Sequence, residues 1–297
     1  MEAISEDIFE MNSNKPEIFS MKNDKPRKII VAVAPTGKKT APPSINPLTP
    51  EDVAHQVIAC ERAGASMVHM HVRDKKGTQT EDLTGFSETL DIIRQSSDIV
   101  IQGSTGGLTD LTLEQRCVAL DDPRVETASL NMGSINFDED VYVNRLPDIR
   151  YWAGRMAEAR VTPELEIFAA GMLPAYMKLV TEGVLKPPYS IGLCLGVRWA
   201  LPANPETLFF LKTLLPEKGV PWGVIHADMQ DFALLATAIG LGASVVRVGF
   251  EDSVFFASGK AARTNAELVE KITSLIRQIG YEVATCQEAR EILGIGE

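Results

Sequence analysis

From Lys28 onward the chain alternates short apolar runs with longer stretches in which apolar positions recur every three or four residues. Short runs bounded by polar or glycine-containing breaks read as buried strands, and the 3.6-residue period reads as amphipathic helix. Strands are predicted at Ile29–Ala34, Met67–Val72, Ile99–Ser104, Thr127–Met132, Glu164–Phe168, Ser190–Leu195, Trp222–His226 and Val245–Phe250. Helix starts stand between them. Thr49 precedes Pro50-Glu51-Asp52, Asn204 precedes Pro205-Glu206, and Thr264 precedes Asn265-Ala266-Glu267, each placing a capping side chain before a first turn rich in acid or proline. Gly64, Gly219 and Gly280 stand where a left-handed residue would end a helix.

Eight strand–helix units in about 250 residues leave no room for a second domain and match the α/β class in its (β/α)8 TIM barrel form. A doubly wound open sheet calls for a GxGxxG turn after its first strand, and Pro35-Thr36-Gly37-Lys38-Lys39 is not one. The expected organisation is one catalytic barrel over residues 29–297, preceded by an N-terminal arm over residues 1–28 that is flexible or packs in an oligomer. A formal net charge of −11 argues against a partner that is nucleic acid or an anionic membrane, which needs a basic footprint. The longest charge-free apolar stretch, Phe232 to Val246, is too short to span a bilayer. Cys60, Cys117, Cys194 and Cys286 are widely separated, with no CxxC pair, which excludes a cysteine-cage zinc site and suggests no disulfide framework. The first 28 residues carry no continuous apolar segment of the secretory kind. A cytoplasmic setting is therefore expected, with the chain assembled as a homo-oligomer, a dimer or tetramer.

Side chains alternate in and out along a barrel strand, and functional groups gather at the C-terminal strand ends. With Val68, Met70 and Val72 facing helices, the second strand turns His69, His71 and Arg73 inward. Two imidazoles ~6–7 Å apart at Cα on one face can reach one metal ion. The eighth strand, by the same parity, turns Arg247, Gly249 and Glu251 inward, and even-numbered strands share layers. Glu251 is thus the candidate third ligand. Two histidines and a carboxylate with positions left open suit a catalytic zinc. The competing readings are two hydrogen-bonded core histidines and an Arg247–Glu251 ion pair filling the barrel. After the third strand, Ser104-Thr105-Gly106-Gly107 offers hydroxyls and close backbone N–H groups to a small anion. The fourth strand adds Ser129 and Asn131. On the fifth, Glu164 and Glu166 share a face, and Glu166 is a candidate to tune the metal site or carry a proton.

At these residues the sequence resembles the β-keto acid cleavage enzymes. The resemblance lies in the APTG of residues 34–37, GASMVHMHVRD (64–74), the STGG turn, ASLNMGSINF (128–137), PELEIFAAGM (163–172), LGV (195–197), VRVGFED (246–252) and TNAELVEKI (264–272). It implies a zinc-dependent barrel enzyme that combines a β-keto acid with acetyl-CoA to give acetoacetate and a new acyl-CoA. Carried over by position, His69, His71 and Glu251 resemble its zinc ligands. Ser104 and Ser129 resemble the groups that hold the keto-acid end, Arg247 with Asp252 its activating dyad, and Glu166 its active-site acid. Asp252 is the more plausible proton acceptor of the dyad, because an arginine stays cationic.

The chain also departs from the family's founding member, which acts on 3-keto-5-aminohexanoate. Lys38-Lys39-Thr40 stands where that enzyme has an acid that grips the substrate's amino group. Gly196-Val197-Arg198-Trp199-Ala200 replaces a GVPGG loop, and Ile225-His226-Ala227-Asp228 replaces an AGIGR-like turn. The expected substrate is a β-keto acid with a neutral, anionic or quaternary-ammonium tail. Trp199 is a candidate floor for such a tail, or an ordinary packing residue. The alternatives are a CoA-independent metal-dependent C–C lyase or hydrolase, which would call for more histidines downstream, and a non-catalytic relative that binds metal or carboxylate.

Overall fold

The computed structural model describes residues 26–37, 42, 44–107, 110–137, 139–216 and 219–296. Most of the expected N-terminal arm, and the Lys38-Lys39-Thr40 stretch, lie outside the described residues. Eight parallel strands form the central sheet: β1 (Lys28–Val33), β2 (Met67–Met70), β3 (Val100–Ser104), β4 (Thr127–Asn131), β5 (Thr162–Ile167), β6 (Ser190–Leu195), β7 (Trp222–His226) and β8 (Val245–Val248). Each pairs with the next, and β8 pairs back on β1 with Ile30 opposite Val245 and Val33 opposite Val248, closing the barrel. Around it run α1 (Pro50–Ala63), α2 (Thr84–Arg94), a 3-10 helix (Gln115–Asp121), α3 (Leu146–Ala159), α4 (Met172–Thr181), α5 (Pro205–Leu214), α6 (Ala233–Gly240), α7 (Asn265–Gln278) and α8 (Cys286–Leu293). The (β/α)8 expectation holds, with one unit's outer helix reduced to the 3-10 turn. No helix among the described residues is long and apolar enough to cross a membrane.

The three capping side chains act as their sequence suggests. Thr49 accepts from the Asp52 N–H, Asn204 from Thr207 and Thr264 from Glu267. Gly64, at φ +110, closes α1, and Gly280, at φ +87, follows α7. Gly219 does not close α5. That helix stops at Leu214 because Leu215 precedes Pro216 and is pushed into extended geometry, φ −76 and ψ 156.

The barrel interior is divided by height. At the N-terminal end Ile30, Ala32, Met67, Val100 and Val245 point inward and pack with Ala289 and Leu293 of α8, which plugs the bottom with apolar surface. One step up, the interior becomes polar. Parallel register sets His69 beside Gln102, Ser104 beside Ser129, Ser129 beside Glu164, and Asn131 beside Glu166. Alternate residues such as Val68, Ile101, Leu130, Leu165 and Val246 face the helices in one continuous core. The chemistry-bearing side chains are therefore held by strands whose other faces are buried in hydrocarbon, which fixes them against slippage.

Candidate active site

One strand end and one turn bring together three side chains that could hold a metal ion. His69 lies within β2, and His71 stands just past its end. Glu251 reaches the cluster by a route that strand parity does not describe. β8 ends at Val248, Gly249 takes φ +132, and Asp252 and Ser253 donate back to the Gly249 carbonyl at 3.0 and 2.9 Å. A Cβ on Gly249 would stand 2.3 Å from the Ala34 oxygen, so only glycine allows this turn to press against the end of β1. Two bonds pin the turn. Glu251 N–H donates to Ala34 O at 3.1 Å, and the fully buried Asn265 at the start of α7 accepts from Phe250 N–H at 2.9 Å while donating to Pro35 O at 3.0 Å. The TNAELV motif thus has a physical role: Thr264 caps α7, and Asn265 ties the Glu251 turn to the APTG loop.

One ligand atom from each of His69, His71 and Glu251 lies within 4.8 Å of the others. The Nε2 atoms of His69 and His71 stand 3.5 and 3.6 Å from the same Glu251 Oε1. A tetrahedral zinc with ligands at ~2.0–2.1 Å separates neighbouring ligand atoms by roughly 3.4 Å, so this spacing fits the ion. The protonation states fit it too. Burial lowers the pKa of His69 to about 3 and lowers that of His71, so both imidazoles are neutral, as metal binding requires. Burial by itself would lift Glu251, and the Arg247 guanidinium together with a hydrogen bond from His71 acts against it.

Beside the cluster, Asp252 grips Arg247 through two bonds, Nε to Oδ2 at 2.8 Å and Nη2 to Oδ1 at 2.5 Å. Nη2 also stands 3.4 Å from Glu251 Oε1, so one guanidinium braces both acids of the turn. Burial works against the cation, yet Asp252, Glu251 and Glu166 raise Arg247 well above its ordinary value. Its Nη1 is buried and makes no hydrogen bond, with Glu166 Oε1 at 4.0 Å. Burial pushes Glu166 up to about 8, against the pull of Arg247.

The groups expected to form an anion nest lie together as well. Ser104 and Ser129 hydroxyls stand 3.4 Å apart, Ser104 Oγ accepts from Gly106 N–H at 3.1 Å, and Thr105 Oγ1 donates to Ser129 O at 2.6 Å. The amide of Asn131 is buried, and its Nδ2 has no partner. A buried donor left unpaired costs ~1–3 kcal/mol. Two such donors, Asn131 Nδ2 on β4 beside Glu166 and Arg247 Nη1 reaching toward Glu166 from β8, are suited to an oxygen-rich ligand.

Three contributors escape a motif reading. Gln102 bridges His69 and Glu164, with Oε1 2.7 Å from His69 Nδ1 and Nε2 donating to Glu164 Oε2 at 2.8 Å. The register of β3 against β2 sets Gln102 beside His69, a contact that no motif announces. Tyr142, on a hairpin (Ile135–Phe137 with Asp140–Tyr142) inserted after β4, lays its hydroxyl 2.0 Å from where a Cβ on Gly106 would stand, so Gly106 must lack one. The third, Asn265, lies inside the TNAELV motif, which marks a helix start but not the tie between the Glu251 turn and Pro35. On the departed loops, Trp199 is 63% exposed at φ +70, and one ring face is covered by Arg198 at 4.8 Å. It is a rim residue rather than a packed core tryptophan. Arg198 reaches Glu139, between the two strands of the hairpin, at 3.5 Å. Asp228 takes φ +56, and His226 has a buried Nδ1 without a partner. A cavity of about 240 Å³ opens onto His69, His71 and Glu251 from between β2, α1 and α2, with Thr36, Arg73 and Phe86 in its wall.

The sequence matches the beta-keto acid cleavage enzyme family over residues 28–295. It is 34% identical to a 3-keto-5-aminohexanoate cleavage enzyme of Fusobacterium nucleatum subsp. nucleatum, over 90% of this chain and 98% of the relative. It is 30% identical to a 3,5-dioxohexanoate:acetyl-CoA acetone transferase of Paraburkholderia graminis, over 90% of this chain and 96% of the relative. Among solved structures, apo ObcA superposes with a TM-score of 0.71 at 18% identity, over 85% of this chain and 66% of that one, a likeness of fold.

Proposed function

The chain belongs to the beta-keto acid cleavage enzyme family, and on that premise we propose that it transfers the acyl part of a β-keto acid to CoA, using acetyl-CoA and releasing acetoacetate. The observation that carries the reading is the convergence, at one barrel mouth, of a three-ligand metal cluster, paired hydroxyls and two buried unpaired donors around Glu166. His69, His71 and Glu251 would hold a zinc ion. When bound, zinc supplies Lewis acidity for a keto oxygen beside it.

The remaining work falls to the chain's own groups. Ser104 and Ser129 hydroxyls, with the backbone of Thr105, Gly106 and Gly107, hold the carboxylate end, and Asn131 Nδ2 donates to an oxygen of the same substrate. This fixes C2 near Glu166. With a pKa of about 8, Glu166 is ionised in a minor fraction at neutral pH, and in that form it is a base strong enough to take a proton from C2. Arg247 stays cationic, aims Nη1 at developing negative charge and is kept in register by Asp252. Asp252, engaged by two bonds from Arg247, is a positioning acid in this scheme, and proton transfer falls to Glu166. The C2 carbanion attacks the acetyl thioester and CoA thiolate leaves. The thiolate then attacks the original ketone carbon, the C2–C3 bond breaks with its electron pair on C2, and Glu166 returns its proton to C2, which releases acetoacetate and the new acyl-CoA.

The names of the two relatives describe different tails, and the loops that would meet a tail are those in which this chain departs. Lys38 and Lys39 would repel an ammonium tail. The test is a kcat/KM series at fixed acetyl-CoA with the tail varied among amine, neutral, carboxylate and quaternary-ammonium forms. We expect the amine to be poorer than the best neutral or anionic tail by roughly 10²-fold, the scale of one reversed charge contact. An amine that ranks first overturns the tail assignment. Absence of acetyl-CoA consumption with every β-keto acid overturns the activity.

A further inference from the structure

The Gln102 amide lies between two different kinds of partner, and that difference fixes its orientation. Gln102, His69 and Glu164 are all buried, at 0%, 2% and 4% exposure, so water does not substitute for either bond. A carboxylate is acceptor-only when ionised. Burial raises the Glu164 pKa, while Arg247 and the Gln102 amide act to keep the carboxylate ionised; facing that carboxylate, Gln102 presents its NH2 group, and this turns its carbonyl oxygen to His69. A carbonyl oxygen only accepts, so the His69 proton resides on Nδ1 and the lone pair is left on Nε2, the atom 3.5 Å from Glu251 Oε1. Glu164 has its own seat. It occupies the slot left by Gly192, where a Cβ would stand 3.1 Å from Glu164 Oε1.

We propose that Glu164, acting through Gln102, is a positioning residue that locks His69 in the Nδ1–H tautomer and thereby sets the affinity of the metal site. This rests on the metal reading of His69, His71 and Glu251 given above. Groups behind a metal-bound histidine contribute ~10–100-fold to metal affinity by fixing its tautomer and ring orientation. Here that role is divided between an amide that touches the imidazole and an acid that dictates which end of the amide does so. Glu164→Gln removes the dictation: an amide at 164 meets either end of Gln102, so His69 populates both tautomers, one with a proton on Nε2.

The test uses the full-length, metal-stripped chain and Zn2+ alone, in competition with a chromophoric chelator, alongside 15N imidazole spectra that report which His69 nitrogen carries the proton. Wild type should bind zinc and show Nδ1–H. Glu164→Gln should bind about 10–100-fold more weakly and show a mixture of tautomers. The exchanged pair Gln102→Glu with Glu164→Gln places the acceptor-only group against His69 and lets the new amide at 164 donate to it, so both affinity and tautomer should recover. A merely structural role for Glu164 predicts no change of tautomer and no recovery. Wild-type affinity with pure Nδ1–H in Glu164→Gln, or an exchanged pair as weak as the single variant, overturns the proposal. Failure of the wild-type chain to bind zinc overturns the metal reading with it.

Discussion

Replacing Glu166 by glutamine should stabilise the metal-free protein at alkaline pH while removing its activity when metal-loaded. The carboxyl is buried among Arg247, Glu164, Glu251 and Asp252, and burial raises its pKa from 4.5 to about 8. In the unfolded chain it ionises near 4.5, so between that value and about 8 the folded state holds a proton that the unfolded state has released. Stability therefore falls as pH rises across this window and levels off above it. At ~1.4 kcal/mol for each tenfold change in proton affinity, the interval is worth up to about 5 kcal/mol. Glutamine fills the same volume and does not titrate. Urea unfolding of metal-free wild type and Glu166→Gln at pH 5, 7 and 8.5 should give a stability difference near zero at pH 5. By pH 8.5 the variant should be the more stable by several kcal/mol. The same substitution leaves no group to take the C2 proton, and turnover should drop by ~10²–10⁴-fold. Stability curves that stay parallel across the pH range would show that Glu166 keeps an ordinary pKa, and the proton-transfer role would fall with it.

Metal analysis of the purified chain should find about one divalent ion per chain, mainly zinc, and little in His71→Ala; full occupancy in that variant refutes the ligand set. Arg247→Ala and Asp252→Asn should each lower kcat by ~10²-fold or more while metal content stays near wild type, and wild-type kcat in either would reduce the pair to a structural brace. Gly106→Ala places a Cβ 2.0 Å from the Tyr142 hydroxyl. It should raise KM for the keto acid, and Tyr142→Phe in the same chain should recover part of the loss. If KM is unchanged, the STGG turn does not hold the substrate.

The barrel and most of its site were legible in the sequence because both depend on local rules. Alternation within Met67–Val72 placed His69 inside, the Thr49, Asn204 and Thr264 caps fixed helix starts, and Gly64 and Gly280 fixed ends. These are properties of a few consecutive residues and their dihedral preferences. Gly219 was misplaced because Pro216 acts first, a local conflict decided by backbone sterics. Parity turns Glu251 inward, but the path to the two histidines is another: the strand ends at Val248, and a turn anchored by Ala34 and Asn265 carries the carboxylate there. Only closure of the barrel decides such matters, since it brings the end of β8 against the end of β1, more than two hundred residues away in the chain. The orientation of Gln102 between His69 and Glu164, the unpaired Nη1 of Arg247 and the pKa of Glu166 belong to the same class. Each arises from burial and from neighbours on other strands, so it exists only once the register between strands has been set.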